Sequence, residues 1–214
     1  HLKLAQAAKA TIDGQAAGSA AAFVKVGGKW QAGAGNGLRK RHGLQGPIDD
    51  AFLDSFLCVK PTGTPKDAAA QRFAMGRLDT FRANWDKFLR GDLRVKDDRA
   101  VSNDDIRQHH LVLFGDAGSN RMLAKVAGKL PFQWGAKQIR IAGRTFDGEN
   151  QTLVAIYPNP LNPEKYIVIN SGHTFGEREF KGTNALLYPR LGDWAVFRAD
   201  GSLAGAGYFD EAWK

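Results

Sequence analysis

Two apolar runs late in the chain, residues 152–157 and 166–170, carry almost no polar interruption. Runs of that length and kind predict strands covered on both faces. Residues 67–90 follow a different rhythm. Phe73, Gly76/Arg77, Phe81, Trp85, Phe88 and Leu89 recur at spacings of three and four, the period of an amphipathic helix. Asp67 is placed to cap that helix and Gly91 to stop it. Its aromatic stripe reads as a face packed on a sheet. Residues 56–59 predict a short buried strand that ends at Pro61-Thr62-Gly63-Thr64-Pro65, and Leu93-Arg94-Val95 another short strand. Ser102-Asn103-Asp104-Asp105-Ile106 is a capping signal for a short helix beginning near Asn103. Residues 110–114 then predict a strand, 115–118 a glycine-containing turn, and 119–129 a helix with Met122, Leu123, Val126 and Leu130 at helical spacing.

The flanks are more β-like. Residues 10–15 form a strand entering a turn at Asp13-Gly14, and 22–30 a hairpin turning at Gly27-Gly28. Residues 31–37 are a connector with glycine at 33, 35 and 37. Residues 138–141 alternate as a strand, 158–163 form a rigid proline-rich turn, and 183–187 a helical turn. A strand over 194–197, a turn at Asp200-Gly201 and an edge element over 207–210 complete the chain. These elements predict an α/β fold: a mixed, largely parallel sheet with flanking helices in a Rossmann-like three-layer arrangement, and a β-rich N-terminal portion. The expected organisation is a single compact domain over 1–214, of which 1–37 are the hairpin-containing N-terminal portion and glycine-rich connector.

Composition narrows the function classes. With 43% hydrophobic and 24% charged residues, and thirteen Phe and five Trp, the 214-residue chain can bury a sizeable core. No apolar run reaches the roughly 18 residues of a membrane helix. The chain begins His1-Leu2, which suggests a processed product or an excised fragment. The single cysteine, Cys58, rules out an intrachain disulfide and reads as a buried strand residue. The net charge of +8 favours anionic partners in general. Only Leu38-Arg39-Lys40-Arg41-His42 is dense in positive charge, so a solvated surface is expected rather than a nucleic-acid interface.

The candidate chemistry gathers at the turn after strand 110–114, which brings together Gly115, Asp116, Gly118, Ser119 and Asn120. Backbone N–H groups at a helix start can hold an anion, which makes Gly115, Gly118 and Asn120 candidate ligand contacts. Ser119 is a candidate nucleophile at a strand-to-helix turn, with His173 as base and Asp116 in support. The Gly-x-Ser-x-Gly elbow of serine hydrolases occurs nowhere in the chain. The alternative reading of Asp116, Ser119 and Asn120 is a helix cap. His109 and His110 point oppositely on a strand and form no metal pair alone. Asp49, Asp50 and Asp54 do not match a calcium loop and read as turn and capping residues. His1 could chelate copper through its amine and imidazole, but no second histidine is identifiable. No metal site and no cofactor are expected.

Four segments carry a family resemblance. They are residues 40–52, residues 110–116 with Ser119-Asn120, residues 157–163 with 166–172, and residues 207–213. Together they resemble the C-terminal region of large exported bacterial proteins described as prolyl-oligopeptidase-like serine peptidases or esterases. In that family the serine elbow lies in a separate upstream α/β-hydrolase domain, so no catalytic residue carries over. The resemblance implies a periplasmic or secreted origin and an accessory binding or assembly role beside that upstream hydrolase domain of the same precursor. The alternatives are an autonomous esterase-like hydrolase using Ser119 and His173 on a small ester or peptide, and a small-ligand or carbohydrate-binding module.

Overall fold

The computed structural model describes residues 2–33, 37–183 and 187–214. His1, part of the 31–37 connector and most of the 183–187 helical turn lie outside the described residues. The chain divides into two compact units, His1–Arg39 and Lys40–Lys214. The boundary expected from sequence, after residue 37, falls two residues earlier and inside one domain.

The first unit is a three-stranded antiparallel sheet of β1 (Leu2–Ile12), β2 (Gln15–Val26) and β3 (Lys29–Ala32), in that order. Its two hairpin turns each hold two residues with positive φ: Asp13 at 52° and Gly14 at 74°, then Gly27 at 54° and Gly28 at 80°. That turn type matches the strand twist, so these dipeptides place the hairpins. Asp13 accepts from Lys25 Nζ and Trp30 Nε1, both at 2.9 Å, and so ties the three strands together.

The strands of the second unit are β4 (Phe56–Lys60), β5 (Val95–Asp97), β6 (His110–Leu113), β7 (Gln133–Trp134), β8 (Gln138–Ile141), β9 (Arg144–Asp147), β10 (Gln151–Asn159), β11 (Asn162–Ile169), β12 (Trp194–Arg198) and β13 (Leu203–Gly207). The helices are α1 (Ala68–Leu89), α2 (Asn103–Gln108), α3 (Arg121–Val126) and α4 (Glu177–Phe180). β7–β8–β9 form a small sheet, and the other strands form a seven-stranded sheet ordered β13-β12-β10-β11-β6-β4-β5.

That order corrects the expected largely parallel, Rossmann-like sheet. Only β11–β6, β6–β4 and β4–β5 pair in parallel. Every pairing from β11 through β10 and β12 to β13 is antiparallel, as is the whole of the small sheet. The physical reason is the connection between the two apolar runs. Both strands extend into the proline-rich segment, leaving only Pro160-Leu161 between β10 and β11. Two residues can close a hairpin, whereas a parallel return needs a crossover of a dozen or more.

The layers differ from the expectation as well. Register along the strands puts Phe56 and Phe197 on one face of the sheet. α1, the one helix longer than two turns among the described residues, packs there, with Phe81 5.8 Å from Phe56 and Phe73 5.5 Å from Phe197 between ring centroids. The opposite face carries Trp194 and Tyr157. It is covered by Phe146 of the small sheet and by Phe132, each about 6 Å away. The small sheet thus contributes to the second cover layer. Asp67 caps α1 by accepting from Ala69 N and Ala70 N. Arg90, at φ 53°, makes the left-handed C-terminal turn in place of the expected Gly91.

The parallel strands β4, β6 and β11 end at the same pole of the sheet. The segments that follow them, residues 61–67, 114–120 and 170–176, therefore meet there. This is where open α/β sheets place ligands.

Candidate functional site

The turn after β6 is held by its own residues. Asp116 Oδ1 accepts from Gly118 N at 2.7 Å and Ser119 N at 2.8 Å, while Oδ2 accepts from Lys66 N at 2.7 Å. Ser119 is buried. Its hydroxyl donates to Gln71 Oε1 at 2.9 Å and accepts from Asp116 N at 3.0 Å. Asn120 is fully buried and caps α3, accepting from Met122 N at 2.9 Å and Leu123 N at 3.3 Å. Its amide donates to the carbonyls of Phe114 at 2.8 Å and Val59 at 3.2 Å, which locks the turn to the ends of β6 and β4. Gly115 has a φ of 101°, and a Cβ there would lie 2.4 Å from Ser119 Oγ. Only glycine fits that position. The N–H groups that an anion would need are largely taken up by Asp116 and Asn120.

Asn170 joins this turn to the end of β11. It adopts a left-handed φ of 53°. Its side chain accepts from Gly115 N at 2.8 Å and donates to Gly115 O at 3.1 Å. Gly115, Asp116, Ala117 and Asn170 line a narrow cleft with Lys66 and Trp134. Only about 40 Å³ of this cleft admits the centre of a water molecule. That is room for a few waters. The buried Oε1 of Gln151, which also lines it, has no hydrogen-bond partner among the described residues.

His173 belongs to a different cavity. Its ring is bonded neither to Ser119 nor to Asp116, so the three residues proposed for hydrolysis do not form a relay. Ser119 and Asp116 are together, and His173 is apart. The imidazole is packed by Phe81, Phe180 and Phe175, with ring centroids at 5.1, 4.9 and 5.4 Å. It is 8% exposed, and neither ring nitrogen has a hydrogen-bond partner among the described residues. Burial lowers its pKa to about 4, opposed by the backbone of His173 and Phe175 and reinforced by the Arg77 charge. The ring is therefore neutral at physiological pH.

The cavity beside His173 is larger, about 310 Å³ for water centres. One wall is α1, through Arg77, Thr80, Phe81 and Asn84, which share a helical face. The other is the loop from Gly172 to Glu177. Gly172 sets the approach of loop and helix, since a Cβ there would lie 2.2 Å from the Phe81 ring. Arg77 Nη2 donates to Ser171 Oγ at 3.2 Å, and the guanidinium lies 5.5 Å from the Phe197 ring centroid. Desolvation pulls its pKa down, partly offset by the Asp49 carboxylate. Asp49 itself is committed to Thr174, accepting from its N at 2.7 Å and from its hydroxyl. Arg190 N donates to that same hydroxyl at 2.7 Å, and the Arg190 guanidinium pairs with Glu179.

Residue type and spacing point to His173 but not to Arg77, which lines the same cavity. Arg77 was visible only as a member of the aromatic helix stripe. The available signal was a permanent cation at a position that should face the sheet.

The other candidates occupy structural positions. His109 Nδ1 bonds Ser55 Oγ at 2.8 Å, and His110 Nδ1 accepts from Tyr166 N at 2.8 Å. Asp50 accepts from the Tyr166 hydroxyl at 2.5 Å, and Asp54 from Lys165 at 2.8 Å. Among the described residues no three His, Cys, Asp or Glu side chains converge on one point. Cys58 is buried, and desolvation pushes its thiol pKa up, away from nucleophilic use. No helix is long and apolar enough to cross a membrane.

No protein-family model, curated protein or solved structure matches this chain.

Proposed function

We propose that the chain is a non-catalytic small-ligand-binding domain, and that its ligand seat is the cavity between α1 and the loop Gly172–Glu177. The observation that carries this reading is His173. It is a buried imidazole whose two nitrogens have no partner among the described residues, placed at the pole where the parallel strands end. Polar groups in that state are costly unless something bonds them. A cavity of about 310 Å³ is of the size that small-molecule sites require. The resemblance noted from sequence adds the larger setting: an accessory domain beside an upstream hydrolase domain, in a periplasmic or secreted protein.

The esterase alternative gains no support from the geometry. Ser119 Oγ donates to Gln71, which is no base, and no histidine among the described residues bonds it. A serine nucleophile is activated by a base within hydrogen-bond reach.

Two measurements test this reading. Turnover of p-nitrophenyl acetate should stay at the buffer rate, in the native chain and in Ser119→Ala and His173→Ala alike. Activity above buffer that disappears in both variants would restore the hydrolase. In a screen of small neutral and charged molecules by NMR, hits should shift resonances of residues 172–177 and of α1. Thr80→Trp, which fills the cavity from its exposed rim, should abolish those shifts. A screen with no hit at this cavity defeats the binding reading.

A further inference from the structure

The cavity beside His173 carries information about the charge of its occupant. Arg77 is the only cationic side chain among its lining residues, and Glu177 the only anionic one. Glu177 is on the exposed rim and already pairs with Lys87 at 2.8 Å and Lys181 at 3.1 Å. Among the described residues Arg77 takes part in no salt bridge. Its nearest electrostatic counterweight, Asp49, spends both oxygens on Thr174. The one bond that the described residues offer Arg77 is Ser171 Oγ, which leaves most of its five donors for something else. A half-buried guanidinium with no carboxylate in direct contact is expensive to maintain as structure alone.

The remaining lining is specific in kind. Thr80 and Asn84 supply neutral donors and acceptors one and two turns along α1 from Arg77. Phe81 and Phe175 supply flat apolar walls. His173 is neutral near pH 7, so it offers one donor and one acceptor and no second positive charge.

We infer that this cavity selects a small monoanion, specifically a carboxylate carried on a planar apolar body. Arg77 would engage the carboxylate, while Phe81 and Phe175 flank the body. One positive charge, partly offset by Asp49, matches no more than one negative charge. The fork of a guanidinium matches the two oxygens of a carboxylate. A dianionic phosphate would bring a second negative charge into a site with no second cation and with Asp49 close behind. This inference rests on the binding reading above and narrows it to a ligand class.

The test uses the full chain, isotope-labelled, and three probes at constant ionic strength: benzoate, its neutral isostere benzamide, and inorganic phosphate. Benzoate should shift the Arg77 guanidinium and His173 imidazole resonances saturably, with an affinity in the millimolar range or better. Benzamide and phosphate should each bind at least about tenfold more weakly. Arg77→Gln should lose at least about tenfold in benzoate affinity. Should that variant fail to give a dispersed spectrum, Thr80→Trp, which leaves Arg77 in place, should block the benzoate shifts. Benzamide binding as well as benzoate overturns the charge argument and leaves the binding reading standing. Phosphate binding as tightly as benzoate overturns the monoanion argument in the same way. Absence of any shift at Arg77 and His173 with all three probes overturns the inference. If the wider screen is then also silent at this cavity, the binding reading falls too.

Discussion

Two loops leave parallel strands at the same pole of the sheet and treat their polar groups in opposite ways. After β6, Asp116, Ser119 and Asn120 exhaust one another and the neighbouring strand ends, and even the Ser119 hydroxyl is used as both donor and acceptor. After β11, His173 is buried with neither nitrogen partnered among the described residues, and Arg77, which lines the same cavity, has no carboxylate in direct contact. A turn of the first kind is a rivet, because every added bond deepens one conformation. A loop of the second kind carries unmet polar demand, which a ligand can satisfy. The motif that looks most like an active site in the sequence is thus the more structural of the two.

That contrast can be broken by experiment. The largest effect is expected at Asn120. Asn120→Ala removes a buried cap and strands two buried N–H groups, and should cost about 3 kcal/mol in denaturant unfolding. A loss below half of that would show that the β6 turn is not the anchor described here.

The next effect is a pH dependence at the other loop. Burial depresses the His173 pKa from 6.5 to about 4 in the folded state. Between those values the unfolded chain binds a proton that the folded chain refuses. Stability from this group is therefore complete above about pH 6.5 and falls as the pH drops towards 4. His110 is depressed to about 4 as well and adds a slope of the same sign. His173→Phe suits a pocket already built from phenylalanines and should remove only the His173 share. Between pH 7 and 4.5 the variant should lose about 2 kcal/mol less than the native chain. Parallel stability curves for the two proteins would mean that His173 is not held neutral by burial.

Ser119→Ala should cost about 1 kcal/mol, the net worth of its buried hydroxyl bonds, and leave ester turnover unchanged. A larger loss of turnover than of stability would move Ser119 from rivet to reagent. The smallest effect belongs to Glu177, whose carboxyl is held at about 2 by Lys87 and Lys181 on an exposed surface. Glu177→Gln should leave the thermal midpoint unchanged at physiological salt, since such pairs are screened. A clear drop would show that the rim of the cavity is part of its framework.

Much of the secondary structure was legible from local pattern. The α1 stripe, the Asp67 cap, the Ser102–Asp105 capping box and the dipeptides Asp13-Gly14 and Gly27-Gly28 each act through neighbours a few residues away. The sheet was misread where distance in sequence matters. The two apolar runs have the composition of doubly covered strands, which by itself favours a largely parallel sheet. Composition reports burial and does not report direction. The two-residue link at Pro160-Leu161 decides direction, but only once both strands are known to run into the proline-rich segment.

The candidate site divides in the same way. The caps and turns around Ser119 followed from residue types at short spacing. The pairing of Arg77 with the loop after β11 did not, because it joins positions almost a hundred residues apart through a helix laid across a sheet. Local chemistry is written in local sequence, since caps, turns and helical periods depend on bonds spanning two to four residues. Which polar groups are left unpaired depends on what the fold brings against them, and for His173 and Arg77 that was settled only when α1 closed over the end of β11.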